Sequence, residues 1–188
     1  LSEWASSGGI SESMATRLGE ILETQGQTIL VASTSRAQRI SGIETIAFSL
    51  PPEALRVAVI EGGGRLARPS HNTIYLDGTH DEAVSSLKLL GVNKTIAVEL
   101  GIDPMSELLL EAASGTEGIL STVHGESADD VIARLKAVMG AQIGVADASS
   151  IVGTAVDWVL TIDTAGTATS LVEVALSSKG SIELKAHN

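Results

Sequence analysis

The chain has 188 residues, 44% of them apolar and 19% charged; this fits one folded domain with its own core and excludes a disordered chain. Its net charge of −11 repels phosphate, so no direct nucleic-acid or anionic-membrane binding is expected of the chain as a whole. Cysteine is absent, which removes disulfides, a thiol nucleophile and zinc-thiolate sites and fits a reducing compartment.

No apolar run approaches the roughly 20 residues a bilayer span requires, and no signal peptide is read. The sequence begins at Leu1 rather than Met, so the single domain read over 1–188 is expected to be a piece of a longer chain, with room for an upstream domain. Two Trp, one Tyr and one Phe are the only aromatics. The core must therefore be built from Ile, Leu, Val and Ala.

In chain order, residues 11–25 (SESMATRLGEILETQ) predict a helix. Met14, Leu18, Ile21 and Leu22 fall on one face, Ser11 or Ser13 caps the start, and Gly26 supplies the stop. The strand TILVA (28–32) follows. Residues 36–48 are ambiguous, because Ile40, Ile43, Ala47 and Phe48 suit a helix face while Gly42 and the β-branched residues weaken it. Pro51 and Pro52 break the chain. RVAVIE (56–61) reads as a strand, GGGRLARPSHN as a loop and TIYL (73–76) as a strand.

The helix DEAVSSLKLL, the strand KTIAVEL, the helix DPMSELLLEAAS ending at Gly115 and the strand GILSTV come next. Ser127 caps the helix ADDVIARLKAVM, which is expected to end at Gly140. Three strand-like runs close the chain, VDWVLTID, TSLVEVAL and SIELKA, the first two joined by the hairpin-like TAGTAT. Alternating strands and helices, with continuously apolar strands, predict an α/β fold. Its central sheet is mostly parallel with helices on both faces, and its C-terminal edge is antiparallel.

The order and spacing of these segments resemble the ATPase domain of the type II/type IV secretion NTPase family, with the Tad/Flp pilus branch the nearest in flavour. TILVASTSRAQRIS falls on the family's strand and Walker A loop, G-x-x-x-x-G-K-S/T. SLPPEALRVAVIEGGGRLARPSHNTIYL falls on its Asp-box, NKTIAVELG on its Walker B strand, and GTEGILSTVHGESADDVIARL on its His-box. VDWVLTID and TSLVEVALSSKGSIEL resemble its closing strands. The resemblance covers nearly the whole chain and implies a RecA-like P-loop NTPase fold and a cytoplasmic location. It also implies oligomers, homomeric or with an active secretion or pilus ATPase or other machine subunits, that reach the inner membrane only through partners.

Carried over residue by residue, the family's nucleotide site falls on Ser33, Thr34, Ser35, Arg36, Ala37, Gln38, Arg39, Ile40 and Ser41. Ser33 and Gln38 stand where glycines let backbone N–H groups approach phosphate. Arg39 stands at the lysine, and a planar fork does not fit a cradle shaped for a compact ammonium. Ile40 stands at the Mg²⁺-binding hydroxyl, with Ser41 one position late. The family's catalytic positions fall on Glu61, Glu99 and His124. Gly62 replaces the acid after Glu61, Val98 the small residue before Glu99, and Gly101 an expected Arg.

Each residue also has a structural reading. Arg36 and Arg39 suit solvated charges at a helix start. Glu61 and Glu99 suit strand ends. A lone His124 is more often structural, although Glu126 and Glu117 lie near enough in sequence to raise its pKa. His71, His80 and His187 show no metal-ligand spacing, so no metal is expected. Neither Ser33 nor Ser121 sits in a G-x-S-x-G elbow. The resulting expectation is a catalytically degenerate domain that acts as a structural or regulatory subunit and needs no cofactor. The alternatives are an active ATPase that uses ATP and Mg²⁺ through a divergent loop, and a nucleotide sensor without hydrolysis.

Overall fold

The computed structural model describes residues 1–24, 26–51, 56–61, 66, 72–76, 79–114 and 118–187, except the side chains of Glu61, Lys88 and Ile102. Pro52, the loop 62–65, His71, Gly115 and Glu117 lie outside the described residues. The elements run α1 (Ser2–Ser6), α2 (Glu12–Glu23), β1 (Ile29–Ser33), α3 (Arg36–Ala47), β2 (Val57–Glu61), β3 (Thr73–Leu76), α4 (His80–Leu90) and β4 (Lys94–Val98). They continue with α5 (Ile102–Ala113), β5 (Gly118–His124), α6 (Ala128–Ile143), α7 (Val145–Ala155), β6 (Trp158–Ile162), β7 (Ala168–Leu176) and β8 (Ile182–His187).

Among the described residues, eight strands form one sheet in the order β3-β2-β4-β5-β1-β6-β7-β8. The pairings from β3 through β6 are parallel, and β6–β7 and β7–β8 are antiparallel. This is the sheet predicted from the continuously apolar strands and the hairpin-like tail. The pleat explains those strands, because successive residues point to opposite faces. Ile29 and Val31 join Leu18, Ile43 and Ile46 in one core layer under α2 and α3. Leu30 and Ala32 join Val84, Leu108, Val131 and Val152 in the other, under α4 to α7.

That layering fixes where a site can form. The chain leaves β1 through α3 on one face and travels to β2 on one side of the sheet. It leaves β5 through α6 and α7 on the other face and travels to β6 on the opposite side. The crossovers diverge between the neighbouring strands β1 and β5, and in open α/β sheets such a divergence opens a crevice at the carboxyl ends of the strands.

One ambiguity is resolved and three sequence readings are corrected. The ambiguous segment 36–48 is helical, capped by Ser35, whose hydroxyl accepts from the Gln38 N–H. The helix expected to stop at Gly140 runs on to Ile143 and turns at Gly144, where φ is +96°. Beyond it α7 occupies residues read as neither helix nor strand; its buried side is Ala148, Val152, Gly153 and Ala155, too small to give a strong apolar stripe. Finally, β4 ends at Val98 rather than Leu100, because Glu99 takes φ +53°.

Gly42 weakened the helical reading of α3, and the packing explains its presence. A Cβ there would press into the Ile162 side chain and lie 3.1 Å from Val31 Cγ1. Alanine would add about 1 kcal/mol of helix propensity, yet overpacking costs about 1–3 kcal/mol. We expect Gly42→Ala to lose about 1 kcal/mol net in urea unfolding. A gain in stability would mean that α3 is not seated against β1 and β6 in this way.

At the amino end of the strands, Lys94 is 1% exposed. Its Nζ donates to the Gln27 carbonyl at 2.8 Å. Asp157 accepts from the Thr28 N–H at 2.7 Å nearby.

Candidate functional site

The crevice at the carboxyl ends of β1, β4 and β5 gathers Ser33, Arg39, Glu99, Thr122 and His124. Ser33 ends β1 and lies beside His124 in register. Arg39 belongs to the first turns of α3, and its side chain is only 9% exposed. It does not turn toward solvent to await an anion. Its Nε and Nη2 donate to the two carboxylate oxygens of Glu99 at 2.7 and 2.8 Å, and Nη1 donates to the Ser33 carbonyl at 2.7 Å.

This is a bidentate guanidinium–carboxylate fork, with planar geometry that a lysine cannot reproduce. Arg36 adds a longer contact, 3.4 Å from Nε to Glu99 Oε2. The Glu99 N–H donates to Thr122 Oγ1 at 2.7 Å. Hydrogen bonding from Arg39 holds the Glu99 carboxyl below its ordinary pKa. Partial burial opposes this, while the charge of Arg39 and the contacts of Thr122 and Arg36 reinforce it. Glu99 sits in the left-handed region, which costs a non-glycine residue about 1–2 kcal/mol. Such strain persists where surrounding contacts over-determine it, and here the Arg39 fork and the Thr122 hydroxyl do so.

The other loop positions are spread over different tasks. Thr34, Arg36 and Ala37 are exposed, and Ser35 is half-buried as the cap of α3. That cap already occupies one of the N–H groups with which a helix start would receive phosphate. Gln38 reaches the other way, donating through Nε2 to the Thr164 carbonyl at 3.4 Å. Ile40 packs against the apolar layer under α2 and α3. Ser41 lines a separate cavity of about 250 Å³ with Trp4, Gly42 and Thr45, away from Glu99.

His124 is exposed at the end of β5 and lines the crevice with Arg39 and Glu99. Its carboxylate neighbour is Asp130. The Asp130 carboxyl is held below its ordinary pKa first by the Arg134 hydrogen bond; desolvation opposes this, and the Glu126 N–H and the charges of Arg134 and His124 reinforce it. Glu126, the neighbour read from sequence, contributes its backbone N–H to Asp130. Glu61 ends β2 in register with Val98, so its backbone lies one residue from Glu99 in the neighbouring strand. Sequence reasoning missed Thr122, although it lies two residues before His124 on one strand and so on the same face.

These residues do not fit Mg²⁺-ATP as they are arranged. The Arg39 guanidinium is engaged by Glu99 and the Ser33 carbonyl, and the Ile40 side chain is apolar and packed. Among the described residues, no three His, Asp or Glu side chains converge as metal ligands, and no helix is long and apolar enough to cross a membrane.

No protein-family model and no curated protein sequence matches this chain. Solved structures do. The VirB11 ATPase of the Brucella suis type IV secretion system, in complex with sulphate, aligns at TM-score 0.72 and 18% identity, over 85% of this chain and 53% of that one. The Legionella pneumophila ATPase DotB aligns at 0.58 and 11% identity, over 91% and 47%. The pilus retraction motor PilT with bound ADP aligns at 0.57 and 10% identity, over 90% and 49%. The chain therefore spans about half the length of these proteins. Their likeness, with the eight-stranded sheet and its antiparallel edge, identifies the fold of this chain as the RecA-like fold of the type II/type IV secretion ATPases.

Proposed function

We propose that this chain is a catalytically degenerate secretion-ATPase domain, a structural or regulatory subunit of a type II/IV secretion or Tad-type pilus machine. The observation that carries the reading is the Arg39–Glu99 fork. Phosphoryl transfer depends on positioned cations and a freely placed water-orienting carboxylate. In this chain the two groups at those positions neutralise each other. The retained fold supplies faces for packing beside an active ATPase subunit or another copy of this chain. A cytoplasmic location follows from the same reading.

The test is calorimetric titration with ATP and Mg²⁺, with Arg39→Ala as the control, followed by a turnover assay with Glu99→Gln. We expect no saturable heat up to millimolar ATP and no turnover that Glu99→Gln reduces. Micromolar binding lost in Arg39→Ala would mean that the fork opens to receive phosphate. Turnover lost in Glu99→Gln would restore the enzyme reading.

A further inference from the structure

Strand β8 (Ile182–His187) closes one side of the sheet, and among the described residues no strand pairs with its outer edge. The register fixes which of its backbone groups look outward. The Ser177 N–H donates to the Ser181 carbonyl, and the Val174 N–H turns the other way, to the Asp157 carbonyl just before β6. Hydrogen-bonded and non-hydrogen-bonded pairs alternate along an antiparallel ladder. Two by two from Ser181, the backbone groups of Glu183, Lys185 and His187 face β7, and those of Ile182, Leu184 and Ala186 face outward. These N–H and carbonyl groups form a template for a further strand.

The side chains along this edge complement themselves. Ile182 and Leu184 are half-buried against the apolar layer under α4 to α7, and Ala186 falls on the same face. Beside them runs a groove of about 460 Å³, walled by Ile132, Ala133 and Lys136 of α6. Glu183 and Lys185 belong to the opposite face. The Lys185 side chain is 74% exposed, and its contact with Glu173 is long, 3.9 Å, because Glu173 holds His187 nearer at 3.0 Å. The Glu183 side chain is exposed and has no ion pair or hydrogen bond among the described residues. One acid and one base leave this edge neutral in a chain of net charge −11.

We propose that a second copy of this chain adds to this edge, β8 beside β8, about a two-fold axis at Leu184. Antiparallel pairing about that residue brings the outward groups into phase. Leu184 exchanges both backbone bonds with the partner's Leu184, and Ile182 does so with the partner's Ala186. The same register sets Glu183 opposite the partner's Lys185 and Lys185 opposite the partner's Glu183, and directly opposed charges of unlike sign stabilise a ladder. The neighbouring registers do not. An axis at Glu183 opposes two glutamates and an axis at Lys185 opposes two lysines, each a destabilising pair. Charges on an edge ordinarily keep strands from adding; their order along β8 makes them select one register instead. The edge lies three strands from β1 and the Arg39–Glu99 fork, so the pairing goes beyond the proposed function and stands or falls apart from it.

The test is sedimentation equilibrium of the whole chain from micromolar to millimolar concentration, with amide exchange read residue by residue. We expect a monomer–dimer equilibrium in which exchange at Ile182, Leu184 and Ala186 slows as the dimer fills. Ala186→Pro removes an outward N–H at an edge position that tolerates proline and should weaken the dimer at least about tenfold. Glu183→Lys and Lys185→Glu should each weaken it about tenfold, because two opposed pairs turn repulsive at once. Mixed together, these two single variants should form a heterodimer, and the double variant E183K with K185E should dimerise like the parent. Thermal midpoints near that of the parent show that the variants fold; where Ala186→Pro does not, the charge variants decide alone. A monomer at every concentration overturns the proposal and leaves the edge to a strand of another protein. A dimer or larger ring indifferent to the proline and to both charge reversals also overturns it, and assigns association to another face.

Discussion

Glu99→Ala should lower the stability of the chain by about 3 kcal/mol and its thermal midpoint by about 6–12 °C. The substitution leaves the Arg39 guanidinium in a site where its side chain is 9% exposed, with only the Ser33 carbonyl as an uncharged partner. Breaking a buried pair from one side costs about 3–5 kcal/mol, because the remaining charge is neither solvated nor neutralised. The lower end applies here, since the Glu99 side chain keeps 15% exposure and the pair is partly screened by water.

Two further variants separate charge from backbone. Glu99→Gly also loses the carboxylate but removes the left-handed penalty at φ +53°, so it should be about 1–2 kcal/mol more stable than Glu99→Ala. The double variant Arg39→Met with Glu99→Leu removes both charges and keeps the volume. It should return to within about 1 kcal/mol of the parent, as replacement of a buried ion pair by apolar groups often does. If the double variant is as unstable as the sum of the single ones, the two side chains do not act as a pair. The pH dependence has a fixed sign. The folded carboxyl of Glu99 titrates below its unfolded value of about 4.3, so its contribution is present above that pH and is lost as pH falls through the depressed folded value. The gap between parent and Glu99→Ala should accordingly shrink in acid.

Much of this arrangement was legible in the sequence, for reasons that can be named. The strands were readable because ILVA, VAVI and TIAV are apolar on both faces, which only a sheet covered on both sides tolerates. Helix α2 was readable because Met14, Leu18, Ile21 and Leu22 keep a helical period. Helix α7 was not, because it packs through Ala and Gly rather than through long side chains. The end of β4 was hidden by a glutamate in a conformation more usual for glycine. The site was legible as a set of positions, since Ser33, Glu99 and His124 all lie at carboxyl ends of strands. Its chemistry was not, because no spacing along the chain says that Arg39 reaches across 60 residues to Glu99. Arg39 read as a solvated charge or an anion contact and proved to be a buried internal partner.

A second titrating group, at the other end of the sheet, makes a prediction of opposite pH sense. Burial pushes the Lys94 ammonium down from 10.5 to about 8, and the nearby charge of Asp157 offsets part of that fall. From 10.5 to 8 is about 2.5 units, or about 3 kcal/mol at 1.36 kcal/mol per unit. The unfolded chain holds this proton more tightly than the folded one, so stability should rise by about that amount as pH climbs from about 8 to about 10.5. Below pH 8 the penalty is constant. Asp157 does not share in the alkaline change. Burial pushes its carboxyl up, against the Thr28 N–H and Lys94, so its stabilising effect lies at acid pH and is lost as pH rises through its folded value. Lys94→Met keeps the length of the side chain and removes the ammonium. It leaves the Gln27 carbonyl without its donor, a loss of about 1–3 kcal/mol, so at pH 7 the variant should lie within about 2 kcal/mol of the parent. The slope is the decisive reading. In urea unfolding at pH 7, 8.5 and 10, the parent should gain on Lys94→Met with each step. Parallel profiles would mean that Lys94 carries no folded-state penalty and that its Nζ reaches water by a route the packing around Gln27 and Gly118 does not provide.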